Sequence, residues 1–274
     1  MTRDFSEDFK QITAAAIPFV EKRRKAAGGF GATPRLPATI EDTFYALHIL
    51  LLARSIGVPT PGPEPEADPG LHAWLDNARR TLQPGLRTIF HLLSSCRLAG
   101  LAPAGDSLLA AVLARLRAGA TLPDWYDGVR IVAGFFSPQP RSLLDDSTLA
   151  GIRRLPWHTV DEALMRLTLA RALEEPDLAP ADLPDWLRAC QNGDGGFGFL
   201  PGTTSFIENC RYCLQAMHLL GVVPRDPVGA RRFLARCQTG AGGFSRNGLA
   251  APFLDATWAG LESLRLLGAE GKKA

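Results

Sequence analysis

Two cysteines that stand three positions apart, Cys210 and Cys213, have the spacing of a redox-active or metal-binding pair. They fall inside an apolar segment with helical periodicity, and the chain has no second pair of this kind. The same spacing in mid-helix also places two small side chains in a hydrophobic core. The pattern therefore leaves two interpretations, a metal site and a packing role.

Three acidic residues recur at one position of a repeated motif, eleven residues after the Phe of a Gly-Gly-Phe sequence; they are Glu41, Glu208 and Asp255. An acid at the start of a helix can cap backbone amides and interact with the positive end of the helix dipole. Glu41 is followed directly by Asp42, and neighbouring carboxylates shift each other's pKa. A helix cap needs only one of the two acids. Both a capping role and an acid–base role are open for these residues.

The elements that must position these groups follow from the repeat itself. Cys190-Gln191, Gly195-Gly196-Phe197 and Gly221 recur 47 residues later as Cys237-Gln238, Gly242-Gly243-Phe244 and Gly268, and a third copy begins at Gly28-Gly29-Phe30. Such a period indicates a repeat architecture in which each unit stacks on its neighbours. We expect the Gly-Gly-Phe segments to form tight turns anchored by the Phe ring.

Helical periodicity in the segments between glycines and prolines predicts six helical hairpins and no convincing strand. The pairs are 5–25 with 40–56, 71–82 with 86–98, 107–117 with 126–136, 142–153 with 159–173, 183–190 with 206–220, and 227–237 with 254–267. We predict a single all-α domain over 1–274, an α/α toroid (α6/α6 barrel), with repeat copies at 5–57, 183–221 and 227–268. The Pro-rich segment 59–70 is predicted to be a stiff rim loop. The second helix of each pair is the more uniformly apolar, so these six should form an inner ring around a cavity.

Aromatic and polar side chains cluster where the inner helices are predicted to begin. We expect them to bind the substrate, with a polar cavity mouth and an apolar depth, because aromatic faces can line an apolar ligand and stabilise a cation. The predicted substrate-binding residues are Tyr45, Trp125, Tyr126, Arg130, Trp157, His158, Arg211, Asp255 and Trp258. Ordinary packing is the alternative for the aromatic members.

Composition narrows the function class. The chain of 274 residues has a formal net charge of +2 and no long basic tract, which gives no sign of nucleic-acid binding. No apolar run is long enough to span a bilayer, and the acidic N-terminus does not resemble a signal peptide. We therefore expect a cytoplasmic protein whose five cysteines are reduced.

The combination of Cys-Gln, Gly-Gly-Phe and an acid that opens a helix ending in Leu-Leu-Gly resembles the terpenoid cyclase and protein prenyltransferase β-subunit superfamily, including its squalene-cyclase-type repeats. The resemblance is strongest across 186–268 and extends to 28–57. It implies an α/α toroid and a polyprenyl or similarly apolar small-molecule substrate.

In the prenyltransferase branch, the resemblance implies a zinc site at Glu208 and Cys210. The third ligand in that branch is a His. The equivalent position in this chain is Trp258, and an indole does not coordinate zinc. The basic cluster that binds the diphosphate is also absent, and Arg87, Arg130 and Arg211 are the arginines that could replace it. No cofactor is assigned, although Mg²⁺ is compatible with chemistry on a diphosphate.

In the class II cyclase branch, the segment 39–43 aligns with the acidic motif that protonates an alkene. The alignment implies that Glu41 is the general acid and that Asp42 is its neighbouring carboxylate. Three hypotheses follow. The first is acid-initiated cyclisation of a polyprenyl substrate, and the second is a prenyltransferase-like enzyme with a modified zinc site. The third is a non-catalytic subunit that binds an apolar ligand or a protein partner.

Overall fold

The computed structural model describes residues 5–81, 85–102, 105–137 and 139–269. In these ranges the chain forms twelve α-helices and no named strand. They are α1 (Phe5–Glu21), α2 (Ile40–Ser55), α3 (Pro69–Thr81), α4 (Leu86–Leu98), α5 (Asp106–Arg117), α6 (Leu122–Phe135), α7 (Asp146–Arg154), α8 (Val160–Ala172), α9 (Leu183–Ala189), α10 (Ile207–Leu220), α11 (Pro227–Cys237) and α12 (Leu254–Ala269).

The even-numbered helices form a closed inner ring. Each packs against the next, from α2 through α4, α6, α8 and α10 to α12, and α12 packs back against α2. The odd-numbered helices lie outside this ring: α1 covers α2 and α12, while α11 covers α10 and α12. Closure leaves neither end of the repeat array exposed, which confirms the predicted α/α toroid.

Helix α1 ends at Glu21 rather than at 25, and two predicted helix starts differ from the structure because of local capping. Helix α6 begins at Leu122 rather than at 126, since the Thr121 hydroxyl and the Asp124 carboxylate form a reciprocal capping box before it. The segment predicted as one helix over 142–153 is split. A 3₁₀ turn covers Pro140–Leu143, and α7 starts after Asp145, whose carboxylate accepts the Thr148 amide at 2.7 Å.

Each Gly-Gly-Phe turn clamps its hairpin to the next outer helix. Gly195 has φ +89°, and a Cβ there would lie 2.2 Å from the carbonyl oxygen of Gly229 in α11. The Gln191 side chain reaches the same helix end: its amide donates to the Asp226 carbonyl at 2.8 Å, and its oxygen accepts the Asp226 amide at 2.9 Å. The Phe197 ring is fully buried. This set of contacts is referred to below as the loop clamp.

The loop clamp recurs where the ring closes. Gln238 donates from its side-chain amide to the Ile12 carbonyl of α1 at 3.0 Å, and a Cβ on Gly242 would lie 1.9 Å from the carbonyl oxygen of Ala15. The last repeat is thereby joined to the first helix of the chain. In the first repeat Arg24 occupies the Gln position and forms an ion pair with Asp68 at 3.0 Å, directly before α3.

The Pro-rich segment connects α2 to α3 and contains a 3₁₀ turn at Pro65–Ala67. Glu64 forms an ion pair with Arg54 of α2, and the Pro65 carbonyl lies 2.9 Å from Nε2 of His72 in α3. These contacts attach the segment to both helices that it joins. Within the described residues, no helix is long and apolar enough to cross a membrane.

Candidate functional site: a polar central cavity

A cavity of about 370 Å³ lies at the centre of the ring and receives side chains from all six inner helices. Its size falls in the range of small-molecule sites. Five residues selected from the sequence line it: Tyr45, Tyr126, Arg130, Arg211 and Trp258. The structure therefore brings these five together, from α2, α6, α10 and α12.

The cavity wall is layered by the repeat. One turn after the start of each helix, equivalent repeat positions hold Phe44 in α2, Arg211 in α10 and Trp258 in α12. Four residues further along, the equivalent positions hold His48, Gln215 and Glu262. Residues four apart share a helix face, so these two layers are about 6 Å apart along the cavity.

Four guanidinium groups line the cavity, and two of them have no carboxylate partner among the described residues. Arg130 pairs with Asp127 at 3.4 Å, and Arg87 pairs with Glu41 at 3.1 Å. Arg211 donates only to the Gln215 side-chain oxygen, at 3.2 Å, and Arg97 donates to a backbone carbonyl. Positive charge is therefore only partly neutralised inside the cavity.

These guanidinium groups cover several of the aromatic faces. The Arg130 guanidinium lies 3.6 Å from the centre of the Phe90 ring and 4.5 Å from that of Tyr126. Arg211 lies 4.4 Å from the centre of the Tyr212 ring. Cation–π contacts of this kind fix the guanidinium groups in place, and they also occupy ring faces that a bound cation would need.

Two neutral imidazoles flank Phe44 deep in the cavity. The ring of His91 stacks on Phe44 with centroids 4.2 Å apart, and His48 meets it edge-on at 4.4 Å. Burial, together with the nearby arginines, lowers the pKa of His48 to about 4 and that of His91 to about 3. Because both values lie far below 7, the two side chains are uncharged at neutral pH.

The expectation of an apolar depth is wrong. Beyond the first layer the wall carries His48, His91, Ser94, Arg97 and Arg130. The polar residues at the mouth could be selected because they lie near predicted helix starts, whereas the deeper ones lie within apolar helical segments. For His48 alone, the repeat offset that aligns it with Gln215 was a usable signal, because the other deep residues lie where the motif is absent.

A second, larger pocket of about 740 Å³ lies at the rim, between the N-terminal ends of α2 and α12 and the outer helix α3. It is lined by Glu41, Asp42 and Asp255, and it shares Tyr45 with the central cavity. The Glu41 side chain is 55% exposed and paired with Arg87. These three acids therefore lie beside the cavity mouth rather than inside the cavity.

The two carboxylates of segment 39–43 have different environments. Burial, and then repulsion from Asp255, raise the pKa of Asp42, while the Thr39 hydroxyl donates to this carboxylate at 2.6 Å. The Asp42 amide in turn donates to the Thr39 hydroxyl, as expected of a helix cap. Of the pair, Asp42 is the more buried carboxylate, whereas Glu41 is largely exposed and paired with Arg87.

Three residues predicted to bind substrate lie outside both pockets. Trp125 is only 6% exposed and packs in a core cluster formed by α4–α8. Trp157 packs edge-to-face on Trp186, with centroids 5.1 Å apart, and His158 is exposed in the turn before α8. These predictions are corrected: α6 starts at Leu122, so Trp125 takes a core-facing position, and the other two precede their helix.

The family model for the prenyltransferase alpha-alpha toroid domain matches the chain over residues 3–67, 160–206 and 203–274, together more than half of its length. The chain belongs to this family. No curated protein shows a significant match. Membership agrees with the ring of helix pairs, and it suggests an isoprenoid-related function without specifying a substrate or a reaction.

A prenyltransferase toroid of this family would be expected to hold zinc at Glu208 and Cys210, but these residues do not fit a metal. Cys210 is 1% exposed, and the backbone of Phe197 hydrogen-bonds its sulfur. Glu208 is paired with Arg246 at 3.3 Å. No group of three or more potential His, Cys, Asp or Glu ligands occurs in the described part of the chain.

The repeat explains why a cysteine is present. Thirteen residues after each motif Phe stand Thr43, Cys210 and Thr257. The Thr43 hydroxyl accepts the Phe30 amide at 2.9 Å, and the Thr257 hydroxyl accepts the amide of its own repeat's Phe at 3.0 Å. Cys210 thus holds the turn of its repeat in place, which is the packing role that its sequence context left open.

Proposed function

We propose that this protein binds an isoprenoid with an anionic head group, of the prenyl diphosphate class, in its central cavity. The observation that carries the proposal is the Arg211 guanidinium. It lines the cavity, rests on the Tyr212 ring and has no carboxylate partner among the described residues.

The chemistry of the wall supports this ligand class. A guanidinium presents several donors in a plane and binds phosphate oxygens through two parallel hydrogen bonds. Arg87 lines the same cavity, and its partner Glu41 is largely exposed, so an incoming anion can replace that carboxylate at little cost. Phe44 and Trp258 provide apolar surface for a prenyl chain in the same layer as Arg211.

Acid-initiated cyclisation is the second candidate, and the raised pKa of Asp42 favours it. Two features rank it second. The acid lines the rim pocket rather than the central cavity, and the Arg130 guanidinium on Phe90 and Tyr126 would repel a carbocation. Asp42→Asn tests this candidate, because a protein that converts a prenyl diphosphate into an isomer of unchanged mass should lose that conversion in the variant.

The primary test is a titration of geranyl and farnesyl diphosphate into the purified protein by calorimetry. Hydrogen bonds to charged groups contribute about 1.5–3 kcal/mol, so Arg211→Gln should weaken binding by roughly 10-fold to 150-fold. Arg171→Gln is the matched control, since Arg171 is exposed at the end of α8 and bonds the Leu219 carbonyl. Equal affinity of the wild type and Arg211→Gln, or no binding by the wild type, would refute the proposal.

A further inference from the structure

Among the described residues, one fully buried polar atom of the second layer has no hydrogen-bond partner. Nε2 of His48 is buried and finds no hydrogen-bond partner among the described residues. The other two members of the layer are engaged. The Gln215 oxygen accepts from Arg211 at 3.2 Å, and both Glu262 oxygens accept from Arg265 at 2.7 Å.

The His48 side chain lines the cavity and packs against two aromatic rings. Its ring packs edge-on against Phe44, at 4.4 Å between centroids, and lies 5.3 Å from the centre of the Trp258 ring. A buried donor or acceptor without a partner costs free energy, and a ligand that supplies the partner recovers it. A ligand recovers this free energy only if it extends into the second layer, which lies about one helical turn from the Arg211 layer.

The charge of the partner group follows from the surroundings. Arg97 and Arg130 line the same part of the cavity, and they disfavour a protonated His48. A neutral imidazole nitrogen pairs well with a hydroxyl or a carbonyl. An anionic group in this region would be taken by the guanidinium groups, which bind it more strongly.

We propose that the ligand of this cavity is an oxygenated prenyl diphosphate, whose hydroxyl or carbonyl hydrogen-bonds Nε2 of His48 while Arg211 binds the anionic head. This inference rests on the proposed function and adds the substrate class. The two recognition layers are about 6 Å apart along the helix axes, so the oxygen belongs on a short chain or close to the head group.

The test compares four compounds: dimethylallyl and geranyl diphosphate, each with and without a hydroxyl on the end remote from the diphosphate. The affinities are measured by calorimetry for the wild type, His48→Leu and His48→Gln. Glutamine is the residue that the repeat itself places at position 215, and it retains hydrogen-bonding atoms, whereas leucine removes them. Melting temperatures establish that each variant is folded.

In the wild type we expect the hydroxylated form of at least one chain length to bind about tenfold more tightly than its plain counterpart, as for one good hydrogen bond. The preference should vanish in His48→Leu and persist in His48→Gln. Equal affinities in the wild type, the result if a water molecule satisfies Nε2, would overturn the inference and leave the proposed function standing. A preference that survives in His48→Leu would also overturn it. Absence of binding by all four compounds would refute both proposals.

Discussion

The substitution Gly195→Ala tests whether the loop clamp between a Gly-Gly-Phe turn and the next outer helix stabilises the protein. Gly195 has φ +89°, a conformation that side chains with a Cβ rarely adopt. The new Cβ would also lie 2.2 Å from the carbonyl oxygen of Gly229 and 2.8 Å from its Cα. Both contacts are with backbone, so no rotation of a side chain relieves them.

The expected loss combines two effects. A left-handed conformation costs a non-glycine residue about 1–2 kcal/mol. Relief of the clash requires the turn to move away from α11, which stretches the hydrogen bonds of Gln191 to Asp226 and adds about 1 kcal/mol for each bond lost. We therefore expect the free energy of unfolding to fall by about 3 kcal/mol, which lowers the melting temperature by roughly 6–12 °C.

The assay is thermal and urea unfolding, followed by circular dichroism, of the wild type, Gly195→Ala and Gly193→Ala. Gly193 belongs to the same turn, and a Cβ there meets no atom within 4 Å, so this control should stay within about 0.5 kcal/mol of the wild type. Equal melting temperatures for the two variants would show that the close approach to α11 does not limit stability. That result would refute the loop clamp.

Three further predictions follow from single side chains. Gln191→Leu removes two side-chain hydrogen bonds to Asp226 and one to the Gly195 carbonyl, so urea unfolding should show a loss of about 2–4 kcal/mol. A loss below about 1 kcal/mol would contradict the assigned role. Cys210→Thr should change the free energy of unfolding by less than about 1.5 kcal/mol. By elemental analysis, the wild type and this variant should each contain far less than one equivalent of zinc. Stoichiometric zinc in the wild type that is lost in the variant would restore the metal hypothesis. Because the pKa values of His48 and His91 are lowered from 6.5 to about 4 and about 3, the unfolded state binds protons that the folded state does not as pH falls below 6.5. The free energy of unfolding should then decrease by about 1 kcal/mol for each histidine between pH 6.5 and 5.5. This decrease should be smaller in His91→Gln, and identical pH dependence would contradict the lowered pKa.

The sequence predicted the fold well because the toroid depends on features that a repeat displays directly. The glycines, the buried Phe rings and the helix-opening acids recur at fixed spacing, and their backbone contacts recur with them. Between α3 and α7 the motif is absent, so helix boundaries there depended on periodicity alone. Capping by Thr121 and Asp145 moved two of those boundaries.

The site was only partly predictable. Tyr45 and Trp258 were selected as aromatic residues near a helix start, and Arg211 as an arginine that could replace the missing basic cluster. All three line the central cavity. Trp125 was selected by the same rule and faces the core, since a helix start shifted by four residues changes which face a side chain occupies. Whether an aromatic residue near a helix start faces the cavity or a neighbouring helix depends on the angle of that helix in the ring.

The aligned repeats also separate structural positions from ligand-facing ones. At the position of Thr43 and Cys210, each side chain bonds the backbone of its own turn, and so the chemistry of that position is restricted. At the position of His48, Gln215 and Glu262, the side chains line the cavity and differ in hydrogen-bonding groups, and only Glu262 is an acid. Because the closed ring does not depend on the latter position, its side chains are free to match a ligand. The unpartnered Nε2 of His48 therefore indicates ligand chemistry more directly than the recurring acids at the rim.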